Sequence, residues 1–207
     1  MYNISISGKA NSGKNTLSKM LSDQLFKNGL DSDRAIKNAF ANPIKKIILL
    51  MFPQSDRQCL YGPSGLRSNV IPDAYDSANN PLTYRQALID IGSKGREYNK
   101  NIWINILKED IKNADSYFMT CEATGYFVTD VRYLNEFKML KKLKFFNIRI
   151  LRNMSVKINH QSEFEQDVIP NDDFDYVINN DGSLKDLSKQ VDKLIVKLKR
   201  IQGHSIL

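Results

Sequence analysis

Gly8-Lys9-Ala10-Asn11-Ser12-Gly13-Lys14 has the residue types and spacing of a loop that wraps a phosphate. Glycines at both ends let the backbone curl until several N–H groups converge on one anion, and Lys14 is placed to reach the β- and γ-phosphates of a nucleoside triphosphate. The run Tyr2-Asn3-Ile4-Ser5-Ile6-Ser7 before the loop is β-rich, and Leu17, Met20, Leu21 and Leu25 after it recur at helical spacing. Strand, loop and helix are predicted in that order, with the positive end of the helix facing the phosphates. Gly8, Ala10, Asn11, Ser12, Gly13, Lys14, Asn15 and Thr16 form the expected nucleotide-binding set.

Asn15 departs from the usual pattern. A Ser or Thr ordinarily follows the loop lysine and offers its hydroxyl to Mg2+; here Thr16 comes one residue later, turned away around the helix. Magnesium is then left to phosphates, water and a carboxylate from elsewhere, with the Asn15 amide oxygen accepting at most from metal-bound water.

Asp130 is the candidate for that carboxylate, holding the metal through water. It follows the apolar run Tyr126 to Thr129, which predicts a place at the carboxyl end of a buried strand, on the same edge as the loop. The alternative is a helix N-cap ahead of Tyr133 to Leu143. Arg132 can meet a phosphate or pair with Asp130 or Glu136. Arg57, Arg67, Arg85, Arg96 and Arg152 recur where the chain looks irregular or begins a helix. Planar guanidinium forks suit phosphoryl transfer because they fix phosphate oxygens, although each arginine alone also reads as a surface residue.

The elements that must position these groups follow from periodicity. Ala35 to Ala41, Ile44 to Phe52, Tyr126 to Thr129 and Tyr133 to Leu143 alternate as apolar runs and helical segments, the pattern of an α/β fold with a parallel sheet. Phe146, Ile148 and Ile150 alternate as a strand, Tyr176-Val177-Ile178 form a short one, and Leu184, Leu187, Val191, Leu194, Ile195 and Leu198 mark a closing helix started at Asp181-Gly182-Ser183. Gln54 to Pro81 and Asn153 to Asp173 lack clear periodicity and read as functional excursions. Trp103 with Ile106 and Leu107 reads as core, while Tyr61, Tyr84 and Tyr133 are open to base stacking or plain packing.

A chain of 207 residues with 42% hydrophobic content can bury one sizeable core, so a single domain spanning 1–207 is expected. No apolar run reaches membrane-spanning length and no signal segment is recognised, which predicts a soluble protein of the cytoplasm, the host cytoplasm if viral. Cys59, Cys121, His160 and His204 have no metal-ligand spacing. The net charge of +7 suits a polyanionic partner, but nucleotides meet that description as well as DNA does. Lys138, Lys141, Lys142 and Lys144 beside Leu134, Phe137, Leu140 and Leu143 read as the solvated face of an amphipathic helix, with a nucleic-acid patch as the alternative.

Several blocks in order, spanning nearly the whole chain, resemble the bacteriophage deoxynucleoside monophosphate kinases. They are the loop through Thr16, Phe40-Ala41-Asn42-Pro43-Ile44-Lys45, Tyr61-Gly62-Pro63-Ser64 through Arg67, and Thr83-Tyr84-Arg85-Gln86-Ala87-Leu88 with Ile91-Gly92, Gly95-Arg96 and Trp103. Thr129-Asp130-Val131-Arg132-Tyr133-Leu134-Asn135-Glu136 and His160-Gln161-Ser162-Glu163 complete the set. The resemblance implies a three-layer phosphate-loop α/β sandwich of the nucleoside-monophosphate-kinase kind, with a mainly parallel sheet, a substrate-binding excursion over 54–98 and a lid over 152–173. It implies transfer of the ATP γ-phosphate to a deoxynucleoside 5′-monophosphate with Mg2+, catalysed by Lys14, Asp130, Arg132 and Arg152. Asn42, Lys45, Arg67, Arg85, Arg96, Arg132 and Glu163 would bind the acceptor, and His160 would serve as a lid hydrogen bond or plain surface. Asn15 and Asn42 stand where the family usually carries Asp.

Small nucleotides are thus the expected partners, without membrane or nucleic acid, and a homodimer stays open. Competing readings are a kinase of another phosphorylated metabolite, a nucleic-acid-associated ATPase, and a nucleotide binder in which Asn15 and Asn42 have cost catalysis.

Overall fold

The computed structural model describes residues 2–26, 35–118, 125–153 and 161–203, so Cys121, His160 and His204 lie outside the described residues. In chain order the elements are β1 (Tyr2–Ser7), α1 (Lys14–Leu25), β2 (Ala35–Asn38), α2 (Asn42–Met51), α3 (Arg57–Tyr61), β3 (Val70–Tyr75), β4 (Pro81–Thr83), α4 (Tyr84–Tyr98), α5 (Ile102–Phe118), β5 (Gly125–Val131), α6 (Leu134–Lys142), β6 (Phe146–Leu151), α7 (Gln161–Val168), β7 (Tyr176–Asn179) and α8 (Leu184–Gly203). Short 3-10 turns occupy Ser64–Ser68 and Asn171–Asp173. The chain divides into two compact units, one of Met1–Ala39 with Asp110–Leu207 and one of Phe40–Glu109.

In the first unit five strands pair in parallel in the order β2-β5-β1-β6-β7. Alternation along the strands sends Ile4, Ile6, Phe127, Ile148, Ile150 and Ile178 to one face, where Leu17 and Leu21 of α1 and Leu187, Val191, Leu194 and Leu198 of α8 cover them. Each such leucine side chain contributes about 2 kcal/mol relative to exposure. The opposite face is partly polar: Ser5, Ser7, Asn147 and Arg149 are buried there with Tyr126 and Val128, alongside Phe137 and Leu140 of α6 and Gln166 of α7. Helices therefore flank both faces of the sheet, as the alternating pattern predicts. Ser183 and Asp186 start α8 reciprocally, Ser183 N–H donating to Asp186 Oδ2 at 3.2 Å and Asp186 N–H to Ser183 Oγ at 3.3 Å.

The second unit organises a stretch that reads as irregular in sequence. Asp56 caps α3 by accepting from Gln58 N–H at 2.8 Å, and Asp76 Oδ1 closes the β3–β4 hairpin by accepting the N–H groups of Ala78 and Asn80 at 2.9 and 2.8 Å. Trp103 of α5 packs where Gly95 of α4 leaves room: a Cβ at Gly95 would stand 2.3 Å from Trp103 Cζ2. Trp103 Nε1 also donates to the Gly92 carbonyl at 3.0 Å. Trp103 and Leu107 are core residues, but Ile106 is 36% exposed, so that member of the expected trio belongs to the surface.

Candidate functional site

The loop of the first unit leaves the carboxyl end of β1, the central strand, flanked by β5 and β6. Ligands of open parallel sheets bind at such strand ends. The curl is made by two left-handed residues, Asn11 at φ 59° and Gly13 at φ 101°. Asparagine tolerates that conformation and glycine meets no penalty in it. Gly13 then stands at the N-cap of α1, so Lys14 opens the helix at its positive end.

Lys14 is 8% exposed, and an ammonium that buried needs oxygen partners. Its Nζ donates to the carbonyls of Gly8 at 2.7 Å and Lys9 at 2.6 Å, which fixes the charge across the mouth of the loop. Ser12 Oγ is buried without a hydrogen-bond partner. A buried hydroxyl left unmade costs about 1–3 kcal/mol, and an anion's oxygen in the loop would satisfy it. The residues present thus fit a polyphosphate. Asn15 and Thr16 are both exposed on α1.

Asp130 lies at the end of β5 beside the approach to the loop. β1 and β5 pair as Ser5↔Val128 and then Ser7↔Val131, two steps on one strand against three on the other. The extra residue is a bulge spanning Thr129 and Asp130, a device that redirects side chains at strand ends. Both are partly exposed while Val128 and Val131 are buried. The N-cap of α6 is Tyr133, so the helix-cap alternative for Asp130 does not apply.

Arg132 follows with its backbone held on both sides. Its N–H donates to Glu136 Oε2 at 2.9 Å and its carbonyl accepts from Gln166 Nε2 at 2.7 Å. Glu136 also takes the N–H of Tyr133 at 3.1 Å, and Glu165 Oε2 takes that of Leu134 at 3.3 Å, so two carboxylates serve the N-terminus of α6.

Asn180, just past β7, was not singled out by any motif. Its buried amide donates to the Ser12 carbonyl at 2.9 Å, and a Cβ at Gly13 would stand 2.4 Å from its Nδ2. The loop is thereby clamped from a strand two positions away in the sheet.

The second unit carries its own cations. Lys45 is buried in α2, its Nζ 3.4 Å from Asn42 Oδ1 and 4.7 Å above the Tyr61 ring, with Arg57 5.7 Å from the same ring. Arg85 donates to the Ser64 carbonyl at 3.1 Å, at the turn that carries Arg67. Arg96 donates to Gly92 at 3.0 Å in the last turn of α4. Arg85 and Arg96 stand eleven residues apart on one helix, about 16 Å along its axis at 1.5 Å per residue, so they do not share one attachment point. Tyr84 is 1% and Tyr133 8% exposed, which assigns both to packing, whereas Tyr61 is 44% exposed.

In the expected lid, Arg152 is exposed just after β6, and Glu163 falls in α7 with its side chain outside the described residues. The helix α7 itself has no counterpart in the sequence periodicity: among its described side chains Phe164 and Val168 are exposed and Gln166 is the buried one. Lys138, Lys141, Lys142 and Lys144 are exposed over buried Phe137 and Leu140, the solvated face that the spacing predicts.

Among the described residues no group of three or more His, Cys, Asp or Glu side chains is gathered to hold a metal ion. A magnesium ion that keeps several waters and rests on phosphate oxygens needs only one or two carboxylates from the protein. No described helix is long and apolar enough to cross a membrane. Compared with models of known protein families and with curated proteins, the chain matches none.

Proposed function

We propose that this chain is a phosphotransferase that moves the γ-phosphate of ATP to a deoxynucleoside 5′-monophosphate, giving the diphosphate and ADP. The observation that carries the reading is the Lys14 ammonium, held by the Gly8 and Lys9 carbonyls across a loop that curls at Asn11 and Gly13. The central place of β1 in a five-stranded parallel sheet supports the three-layer phosphate-loop sandwich that goes with it. The choice of acceptor rests on the resemblance of the blocks around Arg67, Arg85, Arg96 and Arg132.

In this reading an oxygen of the acceptor phosphate attacks the γ-phosphorus, the bond to the β-bridging oxygen breaks, and ADP leaves with its charge. The acceptor is already anionic at neutral pH, so alignment and charge stabilisation do most of the catalysis and no general base is required. Lys14 and Arg132 neutralise the charge spread over the moving phosphoryl, and Gly13 and Lys14 present the positive end of α1 to the phosphates. Asp130 would hold Mg2+ through water. Mg2+ bound there would supply positive charge that offsets the charge developing on the phosphates. Lys45, Arg67 and Arg85 serve the acceptor, and exposed Arg152 serves closure over the phosphates.

An ADP-release assay with Mg-ATP and each deoxynucleoside monophosphate in turn, with products resolved by chromatography, tests the proposal. Binding of ATP without phosphorylation of any of them would overturn it.

A further inference from the structure

We infer that Gln166 is a positioning residue, tying the phosphate loop to the peptide that carries Arg132, and that the second half of α7 is a fixed brace of the site. The inference deepens the kinase reading above and rests on it for the role of Arg132.

Gln166 is 1% exposed and uses both ends of its amide. Its Oε1 accepts from Ser7 Oγ at 2.8 Å, and Ser7 immediately precedes Gly8 of the loop. Its Nε2 donates to the Arg132 carbonyl at 2.7 Å and reaches the Val131 carbonyl at 3.3 Å. One side chain thus joins the carboxyl ends of β1 and β5, the two strands that deliver Lys14 and Asp130. Glu136 holds the other side of Arg132 through its N–H, so the arginine's Cα is located from both directions.

The neighbours of Gln166 act on the same region. Glu165 takes the Leu134 N–H at 3.3 Å, and Asp167 pairs at 2.8 Å with Lys9 within the loop. Arg149, buried in β6, donates through Nη1 to the Ile169 carbonyl and through Nη2 to the Gln166 carbonyl, fixing the end of α7 to the sheet. A cation at a helix C-terminus is favourable there. What buries α7 against the sheet at this point is an amide and a guanidinium, while Phe164 and Val168 stay 60% and 63% exposed. Polar contacts of this kind fix direction, because a displaced amide would lose its bonds to Ser7 Oγ and to the Arg132 carbonyl.

Gln166→Leu in the full chain keeps the volume and removes the bonds. With chemistry sensitive to misplacement on the ångström scale, kcat should fall about tenfold to a hundredfold while KM for ATP changes by less than about threefold. Backbone hydrogen exchange should quicken over residues 131–135 and 7–9 and stay unchanged in α8. Should the Leu variant not fold, Ser7→Ala removes the bond to Oε1 together with the longer one from Ser7 Oγ to the Val131 carbonyl, leaves the Nε2 bonds of Gln166 in place, and should give a smaller effect in the same direction. A folded variant with unaltered kcat and unaltered exchange would overturn the inference. If the unaltered protein transfers no phosphate, the kinase reading fails, and the exchange measurement still decides whether Gln166 fixes this peptide.

Discussion

The Asn180 amide and the Ser12 carbonyl, 2.9 Å apart, join the turn after β7 to the phosphate loop across 168 residues of sequence. The bond is buried, and Asn180 N–H is itself fixed to the Leu151 carbonyl at 2.7 Å, so the clamp is anchored in the sheet. Removing one partner of a buried bond costs about 1–3 kcal/mol, roughly tenfold or more in an equilibrium. Asn180→Ala should therefore raise KM for ATP about tenfold and leave KM for the monophosphate within about twofold. Steady-state kinetics with each substrate varied separately checks this, and equal effects on both would assign Asn180 to general stability.

Lys14 is the group whose loss should be felt most in the chemical step. Lys14→Ala should lower phosphoryl transfer by at least about a hundredfold, the scale of removing one preorganised charge. The melting temperature should change little by comparison. Near-normal turnover in that variant would remove the loop from the chemistry.

Gly95→Ala tests packing within the second unit. The added methyl would meet the Trp103 ring at 2.3 Å, and overpacking of this kind costs about 1–3 kcal/mol. Trp103 is the single tryptophan of the chain, so its fluorescence reports the site directly. A lower urea midpoint with a shifted emission maximum is expected; an unchanged midpoint would mean that α4 and α5 separate freely.

Burial pushes the Tyr126 hydroxyl up to about 12 from the ordinary 10.0, with Asp110 adding to the rise and the bond from Asn38, at 2.8 Å, opposing it. The folded chain therefore keeps this proton where the unfolded chain loses it. That contribution to stability is complete below pH 10 and is lost as pH rises from 10 to about 12. Urea unfolding across that range should show wild-type stability declining more steeply than that of Tyr126→Phe. Parallel declines would contradict the assignment.

Much of the first unit is legible in sequence because its signals are local. The strand-loop-helix of the phosphate loop, the strands around Phe127, Ile148 and Ile178, and the apolar stripe of α8 all stand on apolar periodicity. The helix α7 is hidden because its stripe is inverted, with Gln166 inside and Phe164 and Val168 outside. The β3–β4 hairpin is hidden because Pro72 and Pro81 interrupt short strands whose closure depends on Asp76 side-chain bonds. Asn180 and Gln166 belong to no motif: a lone amide becomes a site residue only through the carbonyls that the fold sets opposite it. The bulge at Thr129 and Asp130 likewise depends on the pairing of β5 with β1, which the order of apolar residues does not encode.

The central claim is phosphate transfer to a deoxynucleoside monophosphate, and the most direct measurement is ADP release with Mg-ATP and each such acceptor, with chromatography of the products. The account predicts a deoxynucleoside diphosphate formed in proportion to ADP with at least one acceptor. ATP bound at the loop with no diphosphate from any acceptor would contradict it, and Asn15→Asp and Asn42→Asp would then be the first substitutions to make.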